Sequence, residues 1–324
     1  MIKLTRMLIG LAVALTLASP AFAKEFRSAD VHPDDYPTVM EVKKMSEIIS
    51  GQTGGQDTIK VFGNSALGSE KDTVEQVKLG ALDMVRVNVA AFNNIVPETI
   101  VPALPFLFKS KAHMRKCLDG PVGDAILASL ESQGFIGLAF YDSGSRSFYT
   151  TSKPIRSVAD VKGMKLRVQQ SDMWVTLIQS MGGNPTPLPY AEVYTALKTG
   201  VVDGAENNWP SYESSHHYEV AKFYSLTEHS MSPELLVFSK VIWDTLTPEE
   251  QGIIRKAAKE SVPYMRELWD AQEARSRQTV EAGGATIITD IDRQGFVDAA
   301  KPVYDKFAAD PKLQELIKQI QATE

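Results

Sequence analysis

Strand and helix signals alternate along this chain, and the alternation starts over near its middle. Residues 26–31 read as a strand. Val39, Val42, Met45, Ile48 and Ile49 then form one apolar face of a helix that Gly51 ends. Strand signals return at 58–62, 82–87 and 135–141. Between them Ser69 caps a helix that stops at Gly80, and Pro121 opens another that Gly134 closes. This order predicts a mostly parallel sheet flanked by helices. From residue 147 the pattern restarts. Strands at 147–151 and 164–168 are followed by a helix from Ser171 to Met181 and another over 191–199. A strand-like 201–203 leads into Glu206-Asn207-Asn208-Trp209. The expectation is an α/β protein of two lobes. No linker rich in Pro, Gly or Ser separates them, so ordered strands should join them, an arrangement suited to a hinge.

Thr247-Pro248-Glu249-Glu250 combines a cap, a proline at the first helical position and a capping-box glutamate. Helical composition continues to Ala282. At about 1.5 Å per residue that is roughly 50 Å, enough to lie across both lobes, with a kink expected at Pro263. The lobes are expected at 24–144 plus 233–273 and at 145–232 plus 274–324.

The first 23 residues read as an export signal. Lys3 and Arg6 precede an apolar run over 7–17, and Ala21-Phe22-Ala23 is a small-x-small cleavage site. The run is too short to favour a permanent span, so a soluble periplasmic protein is expected. Cys117 is the only cysteine, which excludes an intramolecular disulfide and leaves stability to the core. The formal charge is −6, or −8 once Lys3 and Arg6 are removed with the leader. Such acidity argues against nucleic acid as a partner but not against a small anion held by a local basic site.

Arg167 is that candidate. It lies on the apolar strand that follows Asp160-Val161-Lys162-Gly163. A guanidinium near a core needs an anion, and its planar fork suits a carboxylate, either of a ligand or of the chain itself. Arg146 lies just past a strand end, where ligands of open α/β sheets bind. Asn207 and Asn208 beside Trp209 suit a hydroxyl-rich ligand, or the turn chemistry of a helix start. Arg86 and Asn88 alternate on the third strand and point to one side. His32, Glu70 and Tyr190 fall at strand ends or loop starts. Nucleophile-elbow, metalloprotease-helix and phosphate-loop motifs are all missing, and no cofactor is expected. His113 and Cys117, four apart among cations, read as a solvated helix face. The adjacent His216 and His217 make a poor metal pair.

Several segments resemble the solute-binding proteins of TRAP (tripartite ATP-independent periplasmic) transporters. They are Leu67-Gly68-Ser69-Glu70, residues 77–84, Pro102-Ala103-Leu104-Pro105-Phe106, residues 160–168, Pro185-Thr186-Pro187-Leu188, residues 192–197 and 202–207. The resemblance implies two α/β lobes that close on a ligand, strands crossing between them and a long helix spanning both. It places the family's carboxylate-binding arginine on Arg167, a second basic contact on Arg146, the asparagine on Asn207 and the aromatic on Tyr190. First-lobe contacts map onto Glu70 and Asn88; Arg86 and His32 are added from geometry. Ser145-Arg146-Ser147-Phe148-Tyr149 and Glu206-Asn207-Asn208-Trp209-Pro210 look most like members that bind glucuronate or galacturonate. The implied role is a monomeric, non-enzymatic carrier that delivers a hexuronate to membrane subunits. Alternatives are another ligand such as a C4-dicarboxylate or 2-oxo acid, a periplasmic ligand sensor, and a sugar-acid isomerase or lyase.

Overall fold

The computed structural model describes residues 23–324, so the export signal expected at 1–23 lies, but for Ala23, outside the described residues. In chain order the strands are β1 (Lys24–Ala29), β2 (Asp57–Phe62), β3 (Met84–Asn88), β4 (Phe135–Tyr141), β5 (Arg146–Thr150), β6 (Lys165–Val168), β7 (Asn184–Pro187), β8 (Gly204–Asn207), β9 (Phe223–Ser230), β10 (Glu234–Ser239) and β11 (Thr286–Ile288). They form two sheets, ordered β2-β1-β3-β10-β4 and β11-β9-β5-β8-β6-β7. Each belongs to one lobe.

The sheets are mixed rather than mostly parallel. In the first, β10 runs antiparallel to both β3 and β4. In the second, β5 runs antiparallel to β8 and β9. Both exceptions are strands that enter from the opposite lobe. β4 passes into β5 through residues 142–145, and β9 into β10 through residues 231–233. Neither connection has room for the crossover helix that a parallel neighbour needs. These two short crossings are the ordered joints expected from the missing linker.

The helix Pro248–Ala282 is the third connection. Its Thr247 side chain accepts from the Glu250 N–H, and Glu250 accepts from the Thr247 N–H. Ile254, Ala257, Ala258, Ser261, Met265 and Trp269 form its buried stripe against helix Pro37–Gln52 and β4, and its later turns pack on helix Trp209–Ser214 of the second lobe. The helix continues through Pro263 without interruption.

Two expectations need correction. The segment at 201–203 is irregular rather than a strand, and strand β8 begins at Gly204. A Cβ on Gly204 would sit 2.5 Å from the Tyr149 carbonyl oxygen, so this close pairing of β8 with β5 admits only glycine. The second correction concerns the C-terminus. Helix Lys301–Phe307 packs on Asp172–Ser180 of the second lobe, as expected, but helix Pro311–Ala322 packs on Pro97–Ala103 and Pro121–Ser129 of the first. Leu313, Leu316, Ile317 and Ile320 recur at helical spacing and bury that face. His113 and Cys117 lie beneath it and are buried, not solvated. The His113 Nε2 is 3.0 Å from the Ile320 carbonyl. No helix among the described residues is long and apolar enough to cross a membrane.

Candidate ligand-binding site

Three arginines are almost fully buried where the lobes face each other, and they differ in what balances them. Arg86, on β3, donates through Nε to Asp30 at 2.7 Å, through Nη2 to the same carboxylate, and through Nη1 to Glu234 at 2.7 Å. Arg146, at the start of β5, grips Glu206 through Nε at 2.6 Å and Nη2 at 2.9 Å. Arg167, on β6, forms no ion pair among the described residues. Its Nε and Nη2 both donate to the Leu188 carbonyl, at 3.0 and 2.7 Å, and its Nη1 has no protein acceptor. Burial pushes its pKa down, opposed by the more distant Glu206 carboxylate. A guanidinium stays charged at any ordinary pH, so this positive charge is desolvated and unmatched.

Arg167 faces a hollow of about 280 Å³ between the lobes. His32, Glu70, Asn88 and Glu234 line it from the first lobe; Arg146, Gln169, Tyr190, Asn207 and Ser211 complete it from the second. Strand ends place most of them. His32 follows β1, Asn88 ends β3, Arg146 begins β5, Asn207 ends β8, and Glu70 starts the helix Glu70–Lys78 that Ser69 caps. The crossings at 142–145 and 231–233 adjoin Arg146 and Glu234 of this hollow, so the interlobe joints and the site share the same strands.

The first-lobe wall is a closed polar network. The Asn88 amide donates to the Ser232 carbonyl at 3.1 Å and to Glu234 at 3.0 Å, and its oxygen accepts from the Ser232 hydroxyl at 2.9 Å. Glu70 accepts from the Asn88 N–H at 2.9 Å. Asp30, Glu70 and Glu234 surround a single cation, Arg86. Burial raises the pKa of Glu70, with the neighbouring Glu234 charge adding to it. The second-lobe wall is the reverse, with Arg146 and Arg167 against Glu206 alone. Burial opposes ionisation of Glu206, but Arg146 and the adjacent His229 more than offset it and hold its pKa at about 2. The hollow therefore has an anion-attracting end and an acceptor-rich end.

Several lining residues carry polar atoms without a protein partner among the described residues. Asn207 uses its side-chain oxygen on the Asn208 N–H at 2.9 Å and leaves its Nδ2 without an acceptor among the described residues. The His32 Nδ1 and Gln169 Oε1 are buried and have no partner among the described residues. Burial, and then the fields of Arg86 and Arg146, push the His32 pKa well below its ordinary value, so the ring is neutral. It stacks on Tyr36 at 3.8 Å and meets Tyr190 edge-on at 4.9 Å. The lobes touch across the cleft: the Tyr36 and Ser211 hydroxyls are 2.9 Å apart, and the Asn93 amide lies 3.0 Å from the Ser171 hydroxyl.

Three expected contact residues lie elsewhere. Arg86 is enclosed by its two carboxylates behind the wall and holds the wall together. Asn208 caps the helix Trp209–Ser214, accepting from the Ser211 N–H at 2.8 Å, and its amide donates to Ser143. Trp209 packs within the second lobe, stacked on Tyr224 at 4.0 Å with Arg277 over its ring. Helix geometry turns both residues away from the side Asn207 presents. Conversely, Gln169, Ser211 and Glu234 line the hollow without having been singled out. Gln169 shares strand parity with Arg167, a signal present in the sequence. Glu234 enters through its register opposite Asn88, which no local pattern encodes. The described residues contain no cluster suited to a metal ion. His217 is buried against the Tyr149 hydroxyl at 2.8 Å while His216 is exposed, so the pair diverges.

The family described as "Bacterial extracellular solute-binding protein, family 7" matches residues 28–310. Among solved structures, a TRAP periplasmic solute-binding protein from Bradyrhizobium sp. BTAi1, in complex with galacturonate, superposes with a TM-score of 0.92 at 62% identity, covering 93% of this chain and all of that one. A second, from Roseobacter denitrificans with bound β-D-glucuronate, has a TM-score of 0.90 at 44% identity and covers 93% of this chain and 100% of that one. A solute-binding protein of Chromohalobacter salexigens is 39% identical over 315 residues, 97% of this chain and 94% of its own length.

Proposed function

We propose that this chain, which belongs to family 7 of the bacterial extracellular solute-binding proteins, binds a hexuronate between its lobes as the solute-binding component of a TRAP transporter. Galacturonate is the first candidate, because the 62% identical neighbour was crystallised with it; glucuronate, held by the 44% identical one, is the second. The observation that carries the reading is the buried, unpaired Arg167 set opposite an excess of carboxylates. Arg167 fixes the ligand carboxylate in a two-pronged salt bridge, and the free Asn207 amide assists. Hydroxyls of the ring donate to Glu70 and Glu234, and Gln169 and the His32 Nδ1 complete the shell. A hydroxyl both donates and accepts, so it matches a wall of carboxylates and amides.

The same polarity disfavours the main rival. A C4-dicarboxylate bound at Arg167 would turn its second carboxylate toward Glu70 and Glu234, where like charges repel. Tyr190 covers one side of the ligand. Arg146 acts at one remove, its charge already shared with Glu206. Closure is the delivery signal: ligand contacts from both lobes stabilise the closed form, and membrane subunits recognise it. The leader-like N-terminus and the periplasmic naming of the neighbours support a periplasmic location, and the carrier is taken to act as a monomer with no catalytic step.

Calorimetry with galacturonate, glucuronate, succinate and pyruvate tests this. One of the two hexuronates should bind most tightly, and Arg167→Ala should weaken it by at least about 30-fold, equivalent to about 2 kcal/mol. Unchanged binding by Arg167→Ala, or preference for succinate, would overturn the reading.

A further inference from the structure

The hollow that contains Arg167 does not end at the site described above. A second hollow of about 730 Å³, open to solvent on one side, adjoins it, and Glu70, Arg167, Gln169 and Tyr190 line both. The outer one continues along the exposed side of the helix Glu70–Lys78 and the segment after β3. Val74, Ala91, Ile95, Leu188 and Pro189 give it an apolar floor, and Asn94 and Gln170 place amides on its rim. Lys71 and Glu75 oppose each other in charge there. An apolar floor with an amide rim and balanced charge matches a pyranose ring, which has an apolar face and an edge of hydroxyls.

Gln169 ties the two spaces together. It is 6% exposed, its Oε1 has no hydrogen-bond partner among the described residues, and it sits on the boundary. A buried amide oxygen without a donor is costly, so a ligand group that crosses the boundary would satisfy it. A ligand larger than one sugar ring would extend past these shared residues into the outer space.

We propose that the site also accepts a hexuronate carrying a second sugar on its O4, with the added ring in the outer hollow. The proposal rests on the hexuronate reading above. The linkage follows from chemistry: the outer hollow opens beside Arg167, the carboxyl group of a hexuronate is on C5, and O4 is the hydroxyl-bearing position next to that carbon. A substituent on the far side of the ring would be directed into the closed first-lobe wall.

The test is calorimetry on the leaderless protein with galacturonate and with α-1,4-linked digalacturonate, whose reducing unit is substituted on O4. Two variants obstruct only the outer hollow: Ala91→Phe on its floor and Glu75→Trp on the exposed helix rim. Digalacturonate should bind wild type within about tenfold of galacturonate. At least one obstructing variant that keeps the wild-type melting temperature should weaken digalacturonate by about tenfold or more while changing galacturonate less than about threefold. The proposal is overturned if galacturonate binds and digalacturonate neither binds nor competes with it, or if folded variants treat the two ligands alike. Failure of both galacturonate and glucuronate to bind wild type would instead remove the hexuronate reading, and this proposal with it.

Discussion

Two buried glutamates show how differently one residue type titrates in this protein. Glu206 is held at about 2, below its ordinary 4.5, chiefly because Arg146 offsets the effect of burial. Its folded-state pKa is depressed, so the stability it contributes is present above about 4.5 and lost as pH falls toward about 2. Glu41 behaves in the opposite way. It lies at the interface of the helices Pro37–Gln52 and Pro248–Ala282 and accepts from the Ser261 hydroxyl at 3.0 Å, and burial raises its pKa well above 4.5. The folded state therefore holds its proton more tightly, and this group costs stability as pH rises above 4.5. Glu206→Gln should lower the melting temperature at pH 7, with the deficit shrinking on acidification from about 5 to about 2. Glu41→Gln should match or exceed wild type at pH 7, with its advantage fading toward pH 4.5. Melting curves of the three proteins across that range check both signs. Arg167 was legible in the sequence because a guanidinium on an apolar strand is anomalous wherever it lies. Its lack of a carboxylate was not, since Asp30, Glu206 and Glu234 were equally available until strand register assigned them to Arg86 and Arg146.

At the scale of elements, helix boundaries were the easiest to read. Thr247 and Pro248 start the long helix as expected, because a cap is a local hydrogen-bonding decision. Thr247→Ala should cost about 1 kcal/mol, a drop of about 2–4 °C in melting temperature, and leave ligand affinity unchanged. What the sequence could not reveal was which lobe receives an amphipathic helix. Periodicity shows that Leu313, Leu316, Ile317 and Ile320 need a partner, but not that the partner is the first lobe. Trp209 poses the same problem, since an aromatic beside Asn207 can face the ligand or the core with identical local sequence. The docked terminal helix has a built-in reporter. Cys117 is 3% exposed beneath it, and burial raises its thiol pKa. A thiol reagent should label wild type slowly and the Ile320→Asp variant at least about tenfold faster, because a charge on that buried face undocks the helix. Equal labelling rates would mean that the helix does not guard the thiol.

At the scale of the molecule, two lobes, the site between them and their joints form one unit. The two-lobe α/β architecture was legible from the alternation of elements. The antiparallel strands were not, because direction is set by how the chain crosses between sheets. The Tyr36 and Ser211 hydroxyls bridge the lobes beside the ligand hollow. Tyr36→Phe keeps the stack on His32 and removes only that hydrogen bond, a loss of about 0.5–1.5 kcal/mol that should fall on closure. Hexuronate affinity should drop by about two- to tenfold through a faster off-rate. Small-angle scattering should still show contraction on saturation. The placement of β10 between β3 and β4 has a consequence for biogenesis. Until residue 239 has been made, the first sheet lacks the strand that links β4 to the others, and β4 has no neighbour to pair with. Contacts so distant in sequence form slowly. An emerging chain of this design stays unfinished for most of its synthesis, a useful delay if, as proposed, the polypeptide must thread through a membrane before it sets.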